Sequence, residues 1–278
     1  LEYVRRSSVF TTHTPIPAGH DSFELARVQE ILAPFLGDSK VEMRTWVDLG
    51  KNKSNGRFSM TNLAIKTANR VNGVSKIHGV VSQEMFRSNY PGLIPNEVPV
   101  SGITNGVHPQ TWVAPEWQTL WFKHISNLWF EKLTDKELWL KALDLDPDLV
   151  WQTHRQLKQK LVSYLRKHVE DKFHQRGETP EYRAKVLAHL REETFFITFA
   201  RRFAPYKRAS LLLDQVQELE KILSGPYPIV FLYAGKAHPK DGIGQMIMAR
   251  LLETAKKPEF AGRIVFLENY EMPMSKML

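Results

Sequence analysis

Residues 194–208 read TFFITFARRFAPYKR. The first seven are an apolar run of aromatic and β-branched side chains, the composition of a strand buried on both faces. Arg201, Arg202, Tyr206, Lys207 and Arg208 crowd in directly behind it. Two further apolar runs follow, PIVFLYAG at 228–235 and RIVFLEN at 263–269, with room for one helix in each interval, about 206–223 and 243–256. Strand, helix, strand, helix, strand with near-continuous apolar strands predicts a parallel sheet covered on both faces, a doubly wound α/β fold. In such a sheet ligands bind beyond the carboxyl ends of the strands. RRFAPYKR, GKAHP and ENY all fall at those ends. Positive charge at the mouth of a crevice, beside an expected helix N-terminus, predicts an anion site. Arg202 offers a planar two-toothed contact and Lys207 a compact charge with several donors. The plainer alternative is that these side chains decorate a helix start.

Upstream, Leu157, Leu161, Leu165, Val169 and Phe173 recur every four residues and predict an amphipathic helix, followed by a second over 180–190. Residues 152–210 carry 14 Lys/Arg against 6 Asp/Glu, as large an excess as the +8 of the whole chain. That asymmetry predicts either an anionic ligand nearby or a basic, solvated helix. Nearer the N-terminus, SVFTTHT at 8–14 reads as a strand and TPIPAGHDSF as a proline-broken loop. Asp21 or Ser22 is placed to cap a helix through about Leu36. Residues 51–56, KNKSNG, form a polar loop; residues 58–70 read as a helix with Met60, Leu63, Ala64 and Thr67 on one face. VNGVSKIHG at 71–79 and GITNGVHPQTW at 102–112 are compact stretches, each with an Asn-Gly turn signal.

The 278 residues are enough for two domains or one large one, and 42% apolar with 24% charged is ordinary for a globular chain. No apolar run approaches the roughly 20 residues of a membrane-spanning helix. The absence of cysteine excludes disulfides and thiolate metal sites and fits a reducing cytoplasm. His13 and His20, seven apart across the proline-rich loop, have no metal-ligand spacing, so no metal is expected. There is no Gly-x-Gly-x-x-Gly and no nucleotide P-loop. The chain opens on Leu1 and closes just past an apolar strand, which reads as an internal fragment of a longer protein.

Taken together, VFTTHTPIPAGHDSF, NLAIKTANRVNGVSKIHG, ITNGVHPQTW, FARRFAPYKR, AGKAHP and RIVFLENYEM resemble the α-glucan phosphorylases, the family of glycogen, starch and maltodextrin phosphorylases, in the shorter bacterial and archaeal branch. The six blocks stand in the family's order and run from residue 9 to residue 272. The resemblance implies two Rossmann-like domains facing a cleft, the GT-B type of glycosyltransferase fold, truncated at both ends. Residues 1–107 would be the C-terminal part of the first domain. Residues 108–278 would be a helical linker and the N-terminal part of the second, cofactor-binding domain. The activity implied is reversible phosphorolysis of terminal α-1,4-glucosyl units to glucose 1-phosphate with retention, assisted by the 5′-phosphate of pyridoxal phosphate.

By the same resemblance, Arg202 and Lys207 match ligands of the substrate phosphate, and Arg201 a basic position beside the cofactor phosphate. Tyr270 matches a tyrosine of the cofactor pocket and Trp112 its aromatic wall. His78 matches a histidine on the glucosyl unit, Asn105 another sugar ligand and His13 a cleft histidine. The family's Schiff-base lysine belongs to a glycine-rich segment beyond Leu278, so this piece alone is expected to be inactive. The implied partners are an α-1,4-glucan and inorganic phosphate or glucose 1-phosphate, in a cytoplasmic homo-oligomer with neither nucleic acid nor membrane as partner. Two other readings stay open on the residues: a nucleotide-sugar glucosyltransferase of glycogen synthase type, and a basic nucleic-acid-binding module.

Overall fold

The computed structural model describes residues 1–37 and 41–278. They form two compact units, Leu1–Val107 and His108–Leu278. The chain is mixed α/β, with parallel sheets in both units.

The first unit contains β1 (Val9–Thr12), β2 (Ser22–Phe23), β3 (Phe58–Ser59), β4 (Arg70–Gly73) and β5 (Val100–Gly102). Strands β1, β4 and β5 make a parallel sheet in that order, with Val9 opposite Arg70 and Val71 opposite Val100. Its core is Ile65, Val71, Phe86, Val98 and Val100, with Phe10 and Met85 packed against it. Two local expectations change. Ser22 and Phe23 pair antiparallel with Ser59 and Phe58, so the next helix starts only at Leu25, behind Glu24, and runs to Leu36. The helix Met60–Thr67 is capped by Ser59, whose hydroxyl accepts the Asn62 N–H at 3.3 Å. That start turns Thr61 and Ile65 inward and leaves Met60 exposed, a different face from the one the sequence predicts.

The second unit is built on β6 (Phe195–Ala200), β7 (Ile229–Ala234) and β8 (Ile264–Leu267), parallel and adjacent in that order. Strand β7 alternates between two cores. Val230, Leu232 and Ala234 join Leu165, Val169 and Phe173 of the helix Pro147–Gln175, whereas Phe231 and Tyr233 join Leu219, Leu223 and Leu251 from the helices Val216–Leu223 and Gly242–Lys256. Burial on both faces is what drives apolar residues into every position of a parallel strand. Burial also pushes the Tyr233 hydroxyl up to about 12.

Strand β6 departs from the buried run that its composition predicts. Phe195 is 61% exposed and Ile197 38%, because β6 is the edge of the sheet and pairs with β7 alone. The interval after it departs as well. A single α-helix is expected from 206 to 223, but Pro205–Lys207 and Leu211–Asp214 are 3-10 turns, Arg208 is left-handed at φ 58°, and the α-helix begins only at Val216.

Between Pro115 and Leu140, four indoles pack together. Trp121 lies 5.3 Å from Trp129 and 5.1 Å from Trp139, centroid to centroid, with Trp117 at 6.5 Å, and Trp129 is fully covered. Among the described residues no helix is long and apolar enough to cross a membrane.

Candidate functional site

Each unit gathers chemically active side chains at the carboxyl end of its parallel sheet. In the second unit the backbone after β6 is tied to the backbone after β7: Arg201 N–H donates to the Ala234 carbonyl at 3.0 Å and Phe203 N–H to the Lys236 carbonyl at 3.1 Å. Gly235 permits this approach, and Gly244 in the helix Gly242–Lys256 makes room for the same segment. A Cβ on Gly235, whose φ is +156°, would lie 1.9 Å from the Arg201 carbonyl oxygen, and one on Gly244 would lie 2.1 Å from that of Phe203. Phe203 is 1% exposed and pins the segment to the core. On either side of this anchor the charged residues stand outward: Arg201, Arg202 and Arg208 are exposed and Lys207 half-buried.

Those four cations have no ion-pair partner among the described residues. The contrast with their surroundings is sharp. Lys236 pairs with Glu271 at 3.8 Å, Arg250 with Asp214 at 2.6 Å and Arg176 with Glu268 at 2.9 Å. Lys207 Nζ instead sits 4.6 Å from the Tyr206 ring centre, a cation–π contact of about 0.5–1 kcal/mol at an exposed site. The macrodipole contribution expected from the sequence is missing here, because no α-helix starts at the cluster.

Tyr270 comes from the neighbouring strand end. Asn269 turns the chain in the left-handed region at φ 55°, and Tyr270 packs on the core that contains Met274, with its hydroxyl 3.0 Å from that of Ser275. The Lys236–Glu271 pair joins this loop to the one after β7. Arg201, Arg202, Lys207 and Tyr270 thus share one end of one sheet. Trp112 ends the short helix Pro109–Trp112 and lines a cavity of about 650 Å³ with Leu157, Lys158, Phe196 and Thr198, which the four residues do not line. Beside that cavity Lys160 pairs with Glu116 and holds its carboxyl below the usual range.

In the first unit, His78 and Asn105 are brought together through the backbone of Val74. Val74 N–H donates to His78 Nδ1 at 3.1 Å, and Asn105 N–H donates to the Val74 carbonyl at 3.1 Å. Ser75 caps the helix Lys76–Phe86 by accepting the His78 N–H at 3.0 Å. A neutral imidazole that accepts at Nδ1 carries its proton on Nε2. That Nε2 is buried without a partner among the described residues, and the whole residue is 8% exposed. His78 is therefore a donor in search of an acceptor. His13 follows β1 and is exposed.

The structure adds a residue that sequence reasoning passed over. His20 lies between β1 and β2 with Nδ1 2.8 Å from the Thr61 hydroxyl, its ring edge-on to Phe86 at 5.5 Å, and a buried Nε2 with no hydrogen bond of good geometry among the described residues. Burial, and then the nearby His78, holds its pKa below 6.5, against the Thr14 carbonyl and Asp21, which pull upward. Its only sequence signal is its place in TTHTPIPAGHDSF; the partner Thr61 is 41 residues away.

Residues 22–278 match the family described as carbohydrate phosphorylase. The chain belongs to that family. Along its whole length it is similar to the maltodextrin phosphorylase of Thermococcus litoralis (37% identity, covering 32% of that protein) and to the glycogen phosphorylase of Mycobacterium tuberculosis (35% identity, covering 33%). It is also similar to the glycogen phosphorylase of Aquifex aeolicus, at 30% identity over 98% of this chain and 39% of the relative. The chain thus spans about a third of the length of these curated relatives.

Proposed function

We propose that these residues belong to an α-glucan phosphorylase, which transfers the terminal α-1,4-linked glucosyl unit of a glucan to inorganic phosphate and releases glucose 1-phosphate with retention. The supporting observation is the row of cations at 201, 202 and 207, without carboxylate partners among the described residues, at the carboxyl end of a parallel sheet in a chain of this family. Arg202 grips the substrate phosphate through its planar fork and Lys207 through its charge. Arg201 serves the phosphate of pyridoxal phosphate. Two unit negative charges 4 Å apart repel by about 4 kcal/mol at an effective dielectric of 20, so fixed cations are what makes two such anions tolerable together.

The cations without carboxylate partners suit this cofactor's phosphate and the Tyr270 hydroxyl its pocket, whereas the half-exposed Trp112 indole, on a cavity those residues do not line, is assigned to its ring by the family match alone. When bound, pyridoxal phosphate supplies a phosphate group that exchanges a proton with the substrate phosphate. In the first unit the His78 Nε2–H donates to a glucosyl hydroxyl, and Asn105 and His13 add polar contacts. These hold the sugar while positive charge develops at its anomeric carbon. The units are read as parts of two Rossmann-like domains of a GT-B fold, 1–107 from the first and 108–278 from the second. The protein is read as a cytoplasmic homo-oligomer without nucleic-acid or membrane partners.

The test is phosphorolysis of maltodextrin by the full-length protein, followed as glucose 1-phosphate. Lys207→Ala is expected to lower kcat/KM for phosphate by about 100-fold or more, the range for removing one preorganised donor, with the glucan KM within about twofold. Arg202→Lys is expected to lose at least about tenfold, since a point charge does not replace the fork. Unchanged phosphate kinetics in both variants would show these cations to be surface charge.

A further inference from the structure

Resting on that reading of the site, we propose that His20 is a positioning residue for the sugar-binding histidines: it clamps the loop that carries His13 onto the helix that carries His78. The loop closes on itself before it reaches His20. Gly19 N–H donates to the Ile16 carbonyl at 3.2 Å and His20 N–H to the Pro17 carbonyl at 3.1 Å, making one 3-10 turn. Thr14 folds back so tightly on Gly19 that a Cβ there would lie 2.2 Å from its methyl group. Thr14 follows His13 and Gly19 precedes His20, so fixing one histidine fixes the other.

His20 is held by two different helices. Its Nδ1 meets the Thr61 hydroxyl of the helix Met60–Thr67, and its ring edge meets Phe86, in the last turn of the helix that begins beside His78. Burial between an aromatic ring and a buried threonine would suit an apolar side chain if only packing were at stake. An imidazole there brings a polar edge into the contact: its Nε2 is buried with no hydrogen bond of good geometry among the described residues, and His78 opposes charge on the ring. The buried Nε2 of His78, without a partner among the described residues, is the donor left for a hydroxyl group from outside, at the end of the sheet that carries Asn105.

The experiment uses the full-length protein, with KM measured separately for maltodextrin and for phosphate, beside the melting temperature. His20→Ala is expected to raise the glucan KM about tenfold or more while the phosphate KM stays within twofold and the melting temperature within a few degrees. His20→Asn keeps an amide near the position of Nδ1 and is expected to bring the glucan KM back to within about threefold of wild type. Thr61→Val, which removes the clamp's hydroxyl, is expected to raise the glucan KM in the same direction. A glucan KM unchanged in His20→Ala, an equal rise in both KM values, or no rescue by His20→Asn would overturn the proposal. Should His20→Ala not fold, Thr61→Val decides by the same split. A wild-type protein without phosphorolysis removes the functional reading and this proposal together, whereas an active wild type with an indifferent His20→Ala removes this proposal alone.

Discussion

Gly235 decides where the backbone that carries Arg201 and Arg202 can lie. Its φ of +156° is open to glycine and strained for other residues, and the Arg201 carbonyl occupies the space a Cβ would need. Gly235→Ala is expected to lower the melting temperature by several degrees and to weaken phosphate use, because the chain around Arg201 and Arg202 has to move; a variant with wild-type phosphate KM would show that the close approach is dispensable. The cations themselves were legible from density and position in RRFAPYKR. Their lack of carboxylate partners was not, because Asp214 follows closely in the sequence and only the fold commits it to Arg250, and Glu271 to Lys236. His78 was legible through its family block, and its tautomer only through the Val74 N–H. His20 read as a lone loop histidine, since its ring partners are 41 and 66 residues away.

Among the elements, the helix Pro147–Gln175 was the plainest in sequence because its apolar spacing of four tracks one face. Asp146 caps it by accepting the Asp148 N–H at 2.9 Å, and Leu165, Val169 and Phe173 are buried in a core shared with β7, β8 and the helix Pro180–His189. Leu165→Ala is expected to cost about 2–5 kcal/mol, the range for emptying a packed leucine site, and to show as a lower denaturation midpoint with little change in KM at the active site. The element after β6 misled for a definable reason. PYKRASLLLDQVQELE has helix-compatible composition almost throughout, yet Arg208 adopts a left-handed turn that lets Ala209 and Leu213 reach the core before the helix begins. Composition reports what a strand or helix tolerates, whereas edge position decided how much of β6 is covered.

For the molecule as a whole, acid sensitivity follows from three histidines. Burial lowers the pKa of His20, His168 and His189 below 6.5, with His78 also opposing charge on His20, and Arg263 and Arg191 opposing it on His189. Each is more easily protonated in the unfolded chain, so the folded state is favoured fully above about pH 6.5 and loses ground as pH falls from there through the depressed folded values. Glu116, lowered by Lys160, adds a second loss only below the ordinary carboxylate range near 4.5. The melting temperature is expected to fall between pH 7 and pH 5, before any carboxylate effect; a flat profile across that window would contradict the burial of these rings. The indole cluster bears on how such melts are watched. Of seven tryptophans, six lie between residues 112 and 151 and none lies in a strand, so intrinsic emission reports the fate of one helical stretch. Either sheet would melt almost unseen by a fluorimeter tuned to indole, and following β6, β7 and β8 calls for an amide signal instead.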